Sequence, residues 1–362
     1  MNAIREAAPS AGRNHQFDLL RIMFAVMVLL SHAPEITDGN PHRELLARMT
    51  HLHMTFGTLG VDGFFLLSGF LIVHSWQSSE KLLLFARRRF FRIVPGYLVA
   101  ALLSTLVIGL LAPGAPHFFD HLDLHFLKSV MVLSSPSTPP VLPGDHYAMV
   151  NGSLWTIPFE CRCYALVALF GLAGLLRRRS AWLLATVVLL IAALFPDFWV
   201  RFDKTDFSRY LGTVSQSIRM TSVYFVGGCY MLYRDRIRFR RLYAIAAGLL
   251  LIVVVWWTPE LSEIAFVLCG GYLMFYMSEF HLRFLEPMRG LPDISYGIYL
   301  YGWPVEALLI WYLHGSPWMV FGIAVVLCSA LGWLSWICVE RPMMRLGRGT
   351  SRRPSGVAVT VT

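Results

Sequence analysis

The sequence predicts an all-α polytopic membrane protein with about ten transmembrane helices and both termini in the cytoplasm. Three observations carry that expectation. Of 362 residues, 56% are hydrophobic and only 15% charged, where a soluble domain carries roughly a quarter charged residues. Apolar runs near the ~20 residues needed to cross a ~30 Å hydrocarbon core recur along nearly the whole chain. Lysine and arginine alternate between successive loops in the manner that marks cytoplasmic sides.

Taken in order, the runs fall at 17–33, 56–76, 94–111, 153–176, 181–194, 220–233, 242–257, 262–280, 294–313 and 318–339. The first follows a polar stretch carrying Arg5 and Arg13 and lacks a small-residue cleavage site, so it reads as a helix rather than a removed signal peptide. The fifth and sixth runs are short for a crossing. With the N-terminus inside, 22 of the 31 Lys and Arg residues fall on the cytoplasmic side, 6 on the outer side and 3 in or at the edge of spans. Residues 1–16 and 346–362 are then cytoplasmic tails, the second disordered, around a membrane domain at 17–345. Membrane topology accounts for the net charge of +9, and no nucleic-acid-binding module is visible.

The six cysteines lie in or at the ends of apolar segments without ligand spacing, which argues against disulfides and against a metal. His117, His121 and His125 recur every fourth residue in the outer loop 112–152; an interfacial amphipathic helix explains them more simply than a metal site. No repeat relates the two halves of the chain, which weakens a transporter reading.

Ionisable residues inside a membrane are costly and point to function. In the first run Arg21 and His32 are eleven residues apart, about three helical turns and ~16 Å, so they share one face. Arg21 snorkelling to headgroups and His32 capping the helix would be the plainer account. Asp62, in Gly-Val-Asp-Gly-Phe-Phe-Leu-Leu-Ser-Gly-Phe, lies in the outer half of the second run, where an acid could orient the His32 imidazole. Glu160 and Tyr164 are four apart and share a face, at a depth similar to His32. Arg89 and Arg92 are three apart at a helix start, a spacing that lets two guanidiniums grip phosphate oxygens; the positive-inside bias alone would also put them there.

These blocks together resemble the acyltransferase 3 family of integral membrane proteins. The matching elements are Arg21 and His32, the Gly60 to Phe70 block, Arg89-Phe-Phe-Arg92-Ile-Val-Pro, Ser153-Leu-Trp-Thr-Ile with Glu160 and Tyr164, and Ile294-Ser-Tyr-Gly-Ile-Tyr-Leu-Tyr-Gly-Trp-Pro-Val. Gly302 stands where many members have histidine, and Gly297 where many have serine. The resemblance implies an O-acyltransferase of the bacterial inner membrane that takes acetyl-CoA or another acyl-CoA as donor. Its acceptor would be a hydroxyl of a surface polysaccharide, an oligosaccharide or a lipid-linked glycan. It carries functional weight onto Arg21, His32, Arg89, Arg92 and Glu160. In the expected arrangement Arg89 and Arg92 hold the donor phosphates, His32 acts as general base or acyl carrier, and Asp62 or Glu160 supports its charge. Ser68, Trp155 and Tyr164 line the substrate path. Some relatives carry an added extracytoplasmic domain, so acceptor handling here would fall to separate polysaccharide-assembly proteins. The competing reading is an exporter of sugars or lipids that uses buried Arg21, His32 and Glu160 as a substrate or proton pathway.

Overall fold

In the computed structural model, residues 15–39, 41–79, 81–111, 119, 122–136, 149–203, 212–279 and 292–348 are described. The tails at 1–14 and 349–362, His117, His121 and the proline-rich stretch 137–148 lie outside the described residues.

Among the described residues the regular structure is helical throughout, with no β-strand. The main helices are α1 (His15–Asp38), α2 (Phe56–Ser79), α3 (Leu82–Leu111), α4 (Ile157–Leu172) and α5 (Arg179–Ala193). They continue as α6 (Val214–Leu232), α7 (Arg241–Trp257), α8 (Pro259–Ser278), α9 (Ser295–Leu313) and α10 (Pro317–Arg348). Each apolar run read from the sequence overlaps one of them. Five, namely α1, α2, α3, α8 and α10, are long and apolar enough to cross a membrane. Leu102, Leu106 and Leu110 on α3, Ile252 and Trp256 on α7 and Val326 on α10 are exposed. An outer surface of this kind suits lipid and not water.

Local sequence explains the ends. Ser316 accepts from Met319 N and is followed by Pro317, the pairing of a hydroxyl cap with a proline in the first turn that starts helices. Helix α3 begins at Leu82, twelve residues before the apolar run does, so its arginines sit on a helix rather than in a loop. Helix α10 likewise runs beyond the apolar run to Arg348, because its last turns dock on α3. There Arg87 Nη2 donates to Leu346 O at 2.6 Å.

Small residues set the central packing. A Cβ at Gly69 would lie 2.0 Å from Tyr224 O, and one at Gly227 would lie 2.0 Å from Leu66 O, so α2 and α6 touch backbone to backbone. A Cβ at Gly297 would sit 2.5 Å from Gly332 Cα where α9 crosses α10. A serine there would force those helices apart, which accounts for glycine at that position. Helix α1 packs against both α2 and α9, and α4 packs against α2, so these four helices surround the buried site.

Candidate active site

The polar centre begins with one carboxylate that two arginines share. Asp293, immediately before α9, accepts from Arg21 Nη1 on α1 and Arg92 Nη2 on α3, each at 2.9 Å. Ser295 donates to its other oxygen through both backbone N and Oγ. Arg92 Nη1 reaches Glu340 at 3.3 Å. A turn of π-helix, Trp336–Glu340, ends at this buried acid in α10. Burial pushes the Asp293 carboxyl upward, but Arg21 and Arg92 overcome that and hold it down at about 2. Two arginines and two acids thus tie α1, α3, α9 and α10 together.

Beside this network lies a cavity of about 600 Å³. Arg88, Arg89 and Arg348 line it at one end, Ser68, Glu160 and Tyr164 in its interior, and Thr156 and Tyr299 beyond them. Ser68 Oγ donates to Glu160 at 3.1 Å, and Tyr164 OH also donates to that carboxylate. The Arg89 guanidinium lies over the Tyr164 ring, 5.9 Å from its centroid, and makes no ion pair among the described residues. Its Nε has no hydrogen-bond partner there. Thr156 and Tyr299 hydroxyls are joined at 2.8 Å, and Phe64 packs edge-on against Tyr299 with centroids 5.8 Å apart.

A family model described as an acyltransferase domain matches residues 14–337. The chain belongs to the acyltransferase 3 family. Nodulation protein 10 of Rhizobium leguminosarum bv. viciae is 29% identical over 96% of this chain and 98% of its own length. An O-acetyl transferase of Shigella phage Sf6 is 24% identical, covering 91% and 96% of the two chains. The exopolysaccharide production protein ExoZ of Rhizobium meliloti (strain 1021) is 30% identical, covering 83% and 94%. No solved structure matches the chain significantly. The protein is therefore a membrane-embedded enzyme, an O-acyltransferase.

Within this acyltransferase, Arg21, Arg89, Arg92, Ser68, Glu160 and Tyr164 all line the one cavity. His32, Asp62 and Trp155 do not. Asp62 is fully buried, but its Oδ1 accepts from Arg219 Nη2 of α6 at 2.7 Å, and Arg219 also reaches Glu263 of α8. Its carboxylate is therefore committed away from His32. Glu160 is turned toward Ser68 and Tyr164 instead. The acid beside His32 is Glu306 of α9, with Oε2 3.7 Å from Nδ1. Trp155 packs against Phe159 with centroids 5.7 Å apart. Arg92 differs from its expected part as a phosphate ligand, because Asp293 and Glu340 already take its two terminal nitrogens. Arg88 and Arg348 stand with Arg89 at the cavity end instead.

Several of these residues carried a signal in the sequence. Glu306 is an acid in the middle of an apolar run, which is itself a functional indication. Glu340 and Asp293 stand at the ends of apolar runs, where sequence alone reads them as interfacial.

Proposed function

We propose that the chain moves an acetyl or other short acyl group from cytoplasmic acyl-CoA to a hydroxyl of a surface polysaccharide, oligosaccharide or lipid-linked glycan. In this reading residues 17–345 form one domain crossing the bacterial inner membrane ten times, with both tails cytoplasmic; the lysine and arginine distribution supports that orientation.

The observation that carries the proposal is the cavity. It joins a cluster of arginines to a half-buried carboxylate and hydroxyls, within a chain of the acyltransferase 3 family. Its volume of about 600 Å³ is of the size that holds a cofactor-like molecule. Arg88, Arg89 and Arg348 would take the donor phosphates by charge-assisted hydrogen bonds. The apolar walls from Leu71 and Ile72 to Phe64 and Phe65 suit a pantetheine arm. The names of the phage and rhizobial relatives support O-acetylation of carbohydrate as the outcome.

His32 then serves as general base. It takes the acceptor hydroxyl proton as the new C–O bond forms and the thioester C–S bond breaks, and the proton passes to the leaving sulfur. Tyr299 and Thr156 stand about one helical turn short of His32, since Trp303, against the His32 ring, is four residues beyond Tyr299 on α9. Their hydrogen bond must open for the thioester to reach the imidazole.

A second reading has Glu160 as base, because Glu160 lines the cavity and His32 does not. The two are separated by substitution in a strain lacking its own copy, with O-acetyl content of surface glycans read by mass spectrometry. His32→Ala is expected to abolish acetylation, while Glu160→Gln reduces it. Full acetylation by His32→Ala would remove the imidazole from the chemistry.

A further inference from the structure

Glu306 is fully buried, and both of its carboxylate oxygens lack a hydrogen-bond partner among the described residues. The same is true of His32 Nδ1, which lies 3.7 Å from Glu306 Oε2. Leaving such groups unpaired in an apolar interior is costly, so retaining two of them side by side needs a reason. At 3.7 Å the pair is just beyond hydrogen-bond length, and a small side-chain rotation closes it.

The surroundings hold both partners in place. Trp303 stands edge-to-face against the His32 ring, with centroids 5.1 Å apart and planes at 78°. A Cβ on Gly152 would fall 2.5 Å from the Trp303 ring, so backbone presses on that indole. Pro304, inside α9, cannot donate to the carbonyl of Leu300. Asn151 Nδ2 donates to it instead at 2.8 Å, and to Ser104 Oγ at 3.0 Å. The turn bearing Glu306 is therefore fixed to α3 and to the segment before α4.

We propose that Glu306 is the positioning residue for His32. Its carboxylate accepts from Nδ1–H, leaving the Nε2 lone pair as the base and stabilising the imidazolium formed during transfer. This rests on the reading of His32 as general base. The proton taken from the acceptor hydroxyl resides on Nε2 until it passes to the departing sulfur; Nδ1–H stays in place and no proton is transferred to Glu306. The other titratable groups facing the pair are Glu35 on α1, Cys328 on α10 and, through Ser31, Glu44 of the outer segment. None is a cation, so among the described residues nothing competes for Glu306.

The test uses the full-length enzyme in nanodiscs, with acetyl-CoA as donor and de-O-acetylated surface polysaccharide as acceptor. Thiol release is followed across pH. Glu306→Gln is expected to lower kcat about 100-fold or more with KM for acetyl-CoA unchanged. The acid limb of kcat/KM should move to lower pH by about one unit, because the imidazolium loses its counter-charge. Glu306→Asp should recover part of the rate, and serves if the glutamine variant does not fold. In ¹⁵N-histidine spectra, assigned by loss of the signal in His32→Ala, the substitution should change the tautomer of His32. A purely structural role would lower activity evenly across pH and leave the tautomer unchanged, overturning the proposal. Wild-type kinetics for Glu306→Gln with a dead His32→Ala would overturn it while sparing the general-base reading. Activity in both variants would end that reading as well.

Discussion

Asp293→Asn isolates the claim that Arg21 and Arg92 are tied together by one carboxylate. The substitution keeps the shape of the side chain but removes the charge between two guanidiniums, each 2.9 Å from Oδ2. Removing one partner of a buried ion pair costs about 3–5 kcal/mol. Glu340 remains 3.3 Å from Arg92, and asparagine keeps one acceptor, so the loss should fall near the lower figure, about 3 kcal/mol. Thermal unfolding in detergent, followed by tryptophan fluorescence, should show a drop on the order of 5 °C. The pH dependence follows from the depressed carboxyl. Its folded value of about 2 lies below the usual carboxylate range. Its stabilisation is thus complete above about pH 4 and is lost only as pH falls toward 2. The penalty in the variant should therefore be present both at about pH 5 and at about pH 8. An unchanged melting temperature, or a penalty that disappears between those values, would refute the shared-carboxylate argument.

Two further predictions follow from the same geometry. Arg89→Gln should leave thermal stability unchanged, since Arg89 has no ion pair among the described residues, yet weaken acetyl-CoA binding about 10- to 100-fold as charge-assisted hydrogen bonds worth about 1.5–3 kcal/mol are lost. Isothermal titration checks it, and a purely structural loss would contradict it. Gly227→Ala should destabilise the protein by about 1–3 kcal/mol, because the new methyl would lie 2.0 Å from Leu66 O; an unaltered unfolding midpoint would mean that α2 and α6 do not touch there.

The helices were legible because apolar runs of membrane length leave the backbone no alternative but internal hydrogen bonding. Glu160 and Tyr164 were legible as neighbours because four residues make one turn, and the two side chains do meet. What the sequence could not supply was azimuth. The depth of Asp62 in α2 suggested a place near His32, but rotation about the helix axis turns its carboxylate to Arg219, 157 residues away in the chain. The same limit applies to Arg92. Its spacing from Arg89 read as a phosphate grip, and only the tertiary contact with Asp293, 201 residues on, shows its charge already spent. Glu306 was readable in principle, as a lone acid among apolar neighbours, but its partner was not.

Acyl-CoA is expected to enter the cavity from the end lined by Arg88, Arg89 and Arg348 and to direct its thioester past Glu160 toward His32. An experimental structure of the acyltransferase with bound acetyl-CoA tests this directly. The phosphates are expected on those three arginines and the acyl end beyond Glu160, with Arg92 still on Asp293. A donor bound outside this cavity, or with its phosphates on Arg92, would contradict it.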